Sequence, residues 1–288
     1  MFRCLFVSDL HGRVDRYAKL FDLIARERPQ AVFLGGDLLP TLCHEQGPGS
    51  AAAPADFTRD VLIAGFRDLA RTLGRAYPRV FIILGNDDPR ATEAVLLEAA
   101  THNICDYMHN RAVDLGAFRV YGYACVPPTP FMLKDWERYD VSRFVDPGCV
   151  SPEEGRRSIP VSTRDVRYAT IAGDLEHLVG DEDLKQAIFL FHSPPYQTKL
   201  DRAALDGQMV DHVPIDVHVG SIAIRRFIER HQPLATLHGH VHESARLTGS
   251  WRDHIGRTVA LSAAHDGPEL ALVRFDPDNP TQASRDLY

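Results

Sequence analysis

Residues 2–7 open the chain with a run of Phe, Leu and Val that predicts a buried strand. A different period follows. Val14, Tyr17, Ala18, Phe21 and Ile24 recur at helical spacing, predicting a helix over 14–28 that stops before Pro29. Residues 31–34 form a second apolar strand closed by Gly35-Gly36, residues 60–73 return to helical spacing, and 80–84 form a third strand. Strands alternating with helices in this order predict a largely parallel sheet with helices on its faces. Residues 40–58, rich in Pro, Gly, Ala and Ser, interrupt the pattern and are expected to be an irregular surface insertion.

The second half is less regular. Short strands are expected at 113–115 and 118–121, a helix over 164–179 and a buried strand at 187–191. A helix over 221–231 ends at Pro233, and strands follow at 234–237, 259–262 and 270–275 before a polar tail. Residues 126–160 are punctuated by proline and contain Trp136 and Tyr139, which either anchor this stretch to the body or form a lid that stacks a base. No repeat, low-complexity run or clear linker divides the chain, so residues 1–288 are expected to form one domain.

Composition narrows the class. With 44% apolar and 25% charged residues, the chain is an ordinary globular protein and not a disordered, collagen-like or disulfide-scaffolded one. Lys and Arg total 32 against 39 Asp and Glu, a formal charge of -7, which argues against nucleic acid or an anionic membrane as general partner. Fourteen histidines in an acidic chain point to bound metal ions instead. The five cysteines are scattered with no Cys-x-x-Cys pair, and neither a signal peptide nor an apolar span is evident, so a reducing cytoplasm is expected.

The chemistry collects where strands end. Asp9-Leu10-His11 follows the first strand, Gly36-Asp37 the second and Gly85-Asn86-Asp87-Asp88 the third. The strand at 187 runs into His192-Ser193, and the strand at 234 into His238-Gly239-His240-Val241-His242. Carboxyl ends of strands in an α/β sheet converge on one crevice, so these groups meet as a metal-ligand inventory. Singly each is weak: an Asp after Gly is often a turn residue, and a strand-end His is often just hydrogen-bonded. Three imidazoles side by side repel when protonated, and that block carries the most weight. Walker loops and dinucleotide fingerprints are absent. A serine hydrolase built on Ser193 fails, because the chain has no Gly-x-Ser-x-Gly elbow and neighbouring strand residues point to opposite faces.

Asp9-x-His11, Gly36-Asp37, Gly85-Asn86, His192 and Gly239-His240-x-His242, in this order over residues 2–242, resemble the five blocks of the calcineurin-like metallophosphoesterases. The resemblance implies a four-layer α/β/β/α sandwich of two mixed sheets flanked by helices, and metal-dependent hydrolysis of phosphate esters. It also implies a ligand set. Asp9, His11 and His242 would hold one ion, Asn86, His192 and His240 a second, with Asp37 bridging both. Two ions ~3.5–4 Å apart need a bridging carboxylate, and a bridging hydroxide between them serves as nucleophile without a phospho-enzyme. Imidazole, carboxylate and amide donors without thiolate suit two divalent or trivalent ions of Mn, Fe or Zn.

One departure matters. The family's Gly-Asn is usually followed by a histidine that contacts phosphate, and Asp87 stands there instead. An ionised Asp87 repels a phosphomonoester dianion more than a diester monoanion, so small phosphodiesters are the expected substrates. Asp37, Asn86 and Asp87 are the residues expected nearest the chemistry. Asp87 has two other readings: a carboxyl kept protonated by its neighbours and acting as general acid, or a solvated turn residue. A monoesterase, a protein phosphatase, a nuclease and a non-catalytic metal-binding scaffold are the competing functions. His238 is a candidate for orienting a ligand, and Tyr196, Lys199 and Arg202 for touching substrate. His109, His177, His218 and His265 have no metal-ligand spacing.

Overall fold

The computed structural model describes residues 2–40 and 56–288. The apolar runs become central strands because every residue in them is buried: β1 (Cys4–Val7), β2 (Ala31–Gly35) and, after its exposed first residue, β3 (Arg79–Ile83). β1 pairs parallel with β2, and β2 with β3. On its other side β1 pairs antiparallel with a strand from the far end of the chain, so the sheet is mixed. Its order is β14-β13-β1-β2-β3-β4, where β4 is Asp106–Tyr107, β13 Ala271–Phe275 and β14 Ser284–Leu287.

The second sheet has the order β11-β12-β10-β7-β6-β5. It comprises β5 (Arg111–Leu115), β6 (Phe118–Tyr123), β7 (Ala187–Phe191), β10 (Ala235–His238), β11 (Arg252–Ile255) and β12 (Thr258–Ser262). Two short strands, β8 (Met209–Val210) and β9 (Val213–Pro214), form a separate hairpin. The sheets face each other, β2 against β7 and β3 against β6, over a core that is continuous between them. α1 (Val14–Glu27) and α2 (Ala64–Leu73) pack together, as do α5 (Ile171–Val179) and α6 (Ile222–His231). Two mixed sheets flanked by helices are the four-layer sandwich expected.

Several elements differ from the sequence pattern. The helix expected over 60–73 starts earlier, as a wide π-helical stretch Thr58–Ile63 that continues into α2. The single helix expected over 164–179 is two, α4 (Thr163–Tyr168) and α5. Thr170 breaks it: its hydroxyl accepts from Gly173 N–H as an N-cap while Tyr139 O takes the N–H of Ile171. α3 (Glu93–Thr101), α7 (Ser244–Thr248) and β11 have no counterpart in the sequence pattern, and the polar tail contains edge strand β14. Of the insertion expected at 40–58, residues 41–55 lie outside the described residues.

The segment 126–160 is pinned to the body. Asp135 accepts from the N–H of Arg90 and of Ser158, and Asp140 accepts from Ser221 Oγ and from the N–H groups of Ile222 and Ala223 at the start of α6. Lys134 and Glu137 form a fully buried ion pair at 2.5 Å. Trp136 and Tyr139 are buried, so they anchor the segment and do not face a ligand. Trp136 packs edge-on against His109, whose Nδ1 accepts from Ala124 N–H. Burial, with Arg90 and Arg138 nearby, pushes His109 down to about 3, below its ordinary 6.5. The unfolded chain therefore binds a proton between those values that the folded chain refuses, and stability falls as pH drops below 6.5. At pH 5 this costs about 2 kcal/mol. Urea melts of the protein and of His109→Gln at pH 7.5 and 5 should show a smaller acid loss in the variant.

Candidate metal centre

The ligand loops are tight turns at the carboxyl ends of β1, β2, β3, β7 and β10. Asp9, His11, Asp37 and His240 all have left-handed backbones, with φ of 57°, 46°, 52° and 74°. Each such conformation costs roughly 1 kcal/mol or more outside glycine, and such strain concentrates at functional sites. The turns brace one another. Asp9 N donates to Gly36 O, His11 N to Asp37 O and Gly12 N to Leu38 O, each at 2.9 Å. Gly85 and Gly239 allow close approach: a side chain at 85 would collide with Asp37 and His192, and one at 239 with Ser8 and Asp9.

These turns bring all seven residues of the predicted ligand set together. Ligand atoms of Asp9, His11, Asp37 and His242 lie within 4.8 Å of one another, and so do those of Asp37, His192 and His240. Asp37 belongs to both groups. Asn86 joins the second, its Oδ1 3.1 Å from His192 Nε2. His11 Nε2 and His242 Nε2 face each other at 3.1 Å, and His242 Nε2 is 3.2 Å from Asp9 Oδ1.

The donor set fits metal ions. Asp9 Oδ2 is buried and has no hydrogen-bond partner among the described residues. His192 Nδ1 donates to Gly35 O at 2.7 Å, which fixes the tautomer and turns the Nε2 lone pair inward. That ring edge meets Asp37 Oδ2 at 3.2 Å and Asn86 Oδ1, so three donor atoms converge on one point that a proton or a metal ion fills. Electrostatics agrees. Burial pushes His192 down, but Asp37 and Asp9 outweigh it and lift it to about 10. Burial is likewise outweighed at His242, which rises to about 9 through its bond to Asp9. Burial raises Asp9 and Asp37, yet the imidazoles hold both carboxyls below the ordinary range. Desolvation, with His192 alongside, pushes the half-buried His240 down to about 3. Carboxylates that hold a proton on a fully buried imidazole also attract a metal ion in its place.

Asp87 sits at the rim. Its N–H donates to Asp37 Oδ1 at 2.8 Å and its Oδ2 lies 3.6 Å from His11 Nδ1. Burial and the charge of Asp37 raise it to about 6, which leaves it ionised above neutral pH. Asp88, noted in the sequence only as a neighbour, is fully buried and accepts from the N–H groups of Leu38, Leu39 and Gly85. It ties the Asp37 turn to the Asn86 turn. A carboxylate two residues after a ligand Asn was the available signal for it.

The other candidates lie elsewhere. His238 is a satisfied strand-end residue, with Nδ1 on Ser193 O and Nε2 on Thr236 Oγ1. Tyr196 donates to Asp216, Arg202 pairs with Asp206, and the backbone N–H of Lys199 donates to Asp253. His218 is held by the buried Asp201, His265 by Glu269, and His177 by the Gly173 carbonyl.

A sequence model of the calcineurin-like phosphoesterase family matches residues 2–244. Among curated proteins none matches the sequence significantly. Solved structures share the fold. Protein TT1561 of Thermus thermophilus is 18% identical, with 99% of this chain and 98% of that chain covered and a TM-score of 0.56. A dimetal phosphatase from Danio rerio is 14% identical, with 95% and 91% covered and a TM-score of 0.51.

Proposed function

The chain belongs to the calcineurin-like phosphoesterase family, and from that premise we propose that it hydrolyses small phosphodiesters at a centre of two metal ions. The carrying observation is the pair of donor clusters that share Asp37. Asp9, His11 and His242 would hold the first ion and Asn86, His192 and His240 the second, with Asp37 available to both. Manganese, iron and zinc all suit these donors. When bound, the ions supply Lewis acidity to the phosphoryl oxygens and a water acidic enough to attack at neutral pH.

The chain's own residues orient and select. The Asp87 N–H fixes the Asp37 carboxylate, Gly35 O fixes the His192 ring, and His240 N–H fixes Asp9 Oδ1 at 3.0 Å. Asp87 places negative charge beside His11, where a second charge on the substrate phosphate is penalised. Residues 1–288 act as one catalytic domain, supported by a core continuous across both sheets. A reducing cytoplasm is in keeping with the free thiols of Cys4, Cys105 and Cys125.

The Mn²⁺-loaded protein should cleave bis-p-nitrophenyl phosphate faster than p-nitrophenyl phosphate. Both activities should vanish with chelator and return with Mn²⁺. A faster monoester reaction would overturn the diester reading, and activity indifferent to chelator would overturn the metal reading.

A further inference from the structure

α1 carries a buried arginine that the site description leaves unused. Arg16 is 5% exposed, on the helix face turned toward the β1 turn. Its Nη1 donates to the carbonyl of Asp9 at 2.7 Å and its Nη2 to the carbonyl of Gly267 at 2.5 Å. Its Nε is buried without a partner, and among the described residues no carboxylate lies within ion-pair distance of it. A guanidinium taken out of water with two carbonyl hydrogen bonds, and with the charges of Asp9, Asp15 and Glu269 acting only beyond contact, is incompletely compensated, so its position calls for a reason other than stability.

The second carbonyl supplies one. Residues 263–267 follow β12 and form a junction. Ala263 N donates to His238 O at the end of β10, Arg285 Nη2 from β14 donates to Ala264 O at 2.6 Å, and Asp266 pairs at 2.7 Å with Arg246 of α7. α7 begins two residues after His242. The turn at 263–267 is therefore fastened to both ends of the loop carrying His240 and His242. Arg16 joins that turn to Asp9, whose left-handed backbone needs its carbonyl held. The neighbouring Tyr17 does a separate task, donating from its hydroxyl to Leu38 O in the Asp37 turn.

The geometry points to Arg16 as a positioning residue chiefly for the first metal site: it sets the Asp9 side, from one sheet, against the His242 side, from the other. The inference rests on the reading that Asp9, His11 and His242 hold an ion. Asn86 and His192 are braced by other contacts, and of the second group only His240, through its N–H to Asp9 and its place on the same loop, is tied to Arg16, so the second ion depends on it less.

The test is Mn²⁺ titration by calorimetry of the full chain, with melting temperatures of the chelator-treated proteins measured alongside. The unaltered protein should bind two ions. Arg16→Met should bind one ion at least tenfold more weakly and weaken the other by clearly less. Adding His242→Ala to Arg16→Met should leave the tighter ion in place, and adding His240→Ala should remove it. Arg16→Lys, still cationic but reaching one carbonyl, should recover part of the loss. Should Arg16→Met fail to fold, Arg16→Lys carries the same comparison. Two ions at unchanged affinity in the variants would overturn the inference. So would equal weakening of both in step with a lower melting temperature, which marks a merely structural role. Fewer than two ions in the unaltered protein would overturn the underlying metal reading, and that result is visible before any variant is made.

Discussion

Asp37→Asn is expected to lower turnover of bis-p-nitrophenyl phosphate by about a thousandfold or more, in line with the loss of a central electrostatic group. The change is nearly isosteric. Asn keeps an oxygen to accept the Asp87 N–H, so the turns around it stay braced, while loss of the charge beside buried His192 should lower the melting temperature. What it removes is the one carboxylate common to both donor clusters. Bound Mn²⁺ should therefore fall below two per chain in the same preparation. Persisting activity with full metal content would place the chemistry elsewhere.

Asp87→His should shift the preference between ester types. A monoester brings one more negative charge than a diester. At ~5 Å from Asp87 and an effective dielectric near 20, that charge costs about 3 kcal/mol, or roughly a hundredfold in relative kcat/KM. Replacing Asp87 by His should raise the monoester-to-diester ratio by about that factor, and Asp87→Asn, which removes charge without adding a donor, should recover much of it. An unchanged ratio in Asp87→Asn would show that charge at the rim does not set specificity. Measuring both variants at pH 8 keeps the wild-type carboxyl ionised, because burial and Asp37 raise it only to about 6.

The cluster of candidate donors was legible because each stands at the end of an apolar strand, and strand ends are where the chain leaves the sheet and exposes its turns. β1, β2, β3, β7 and β10 could each be read from a buried run. Edge strands could not. β11 buries only Ile255 and β14 buries no residue, so Arg252–Ile255 and Ser284–Leu287 carry little apolar signature and become strands through their neighbours' backbone groups. The α4–α5 break was hidden because a tertiary partner, Tyr139, supplies the bond that stops the helix from continuing. Arg16 and Asp88 were illegible for a related reason. Their partners are backbone carbonyls and N–H groups, and a sequence does not display where those point.

The placement of β1 has a consequence for how the molecule is made. β1 leaves the ribosome long before β13, yet Cys4 pairs with Phe275 and Phe6 with Val273. Until β13 is synthesised, β1 stands as a hydrophobic strand with one bare row of backbone groups, the kind of edge that recruits strands from other chains. A nascent or prematurely terminated chain that stops short of β13 thus carries a sticky flank beside the Asp9 turn. Chains cut short there should appear in the insoluble fraction even though every residue of the two donor clusters is already present in them.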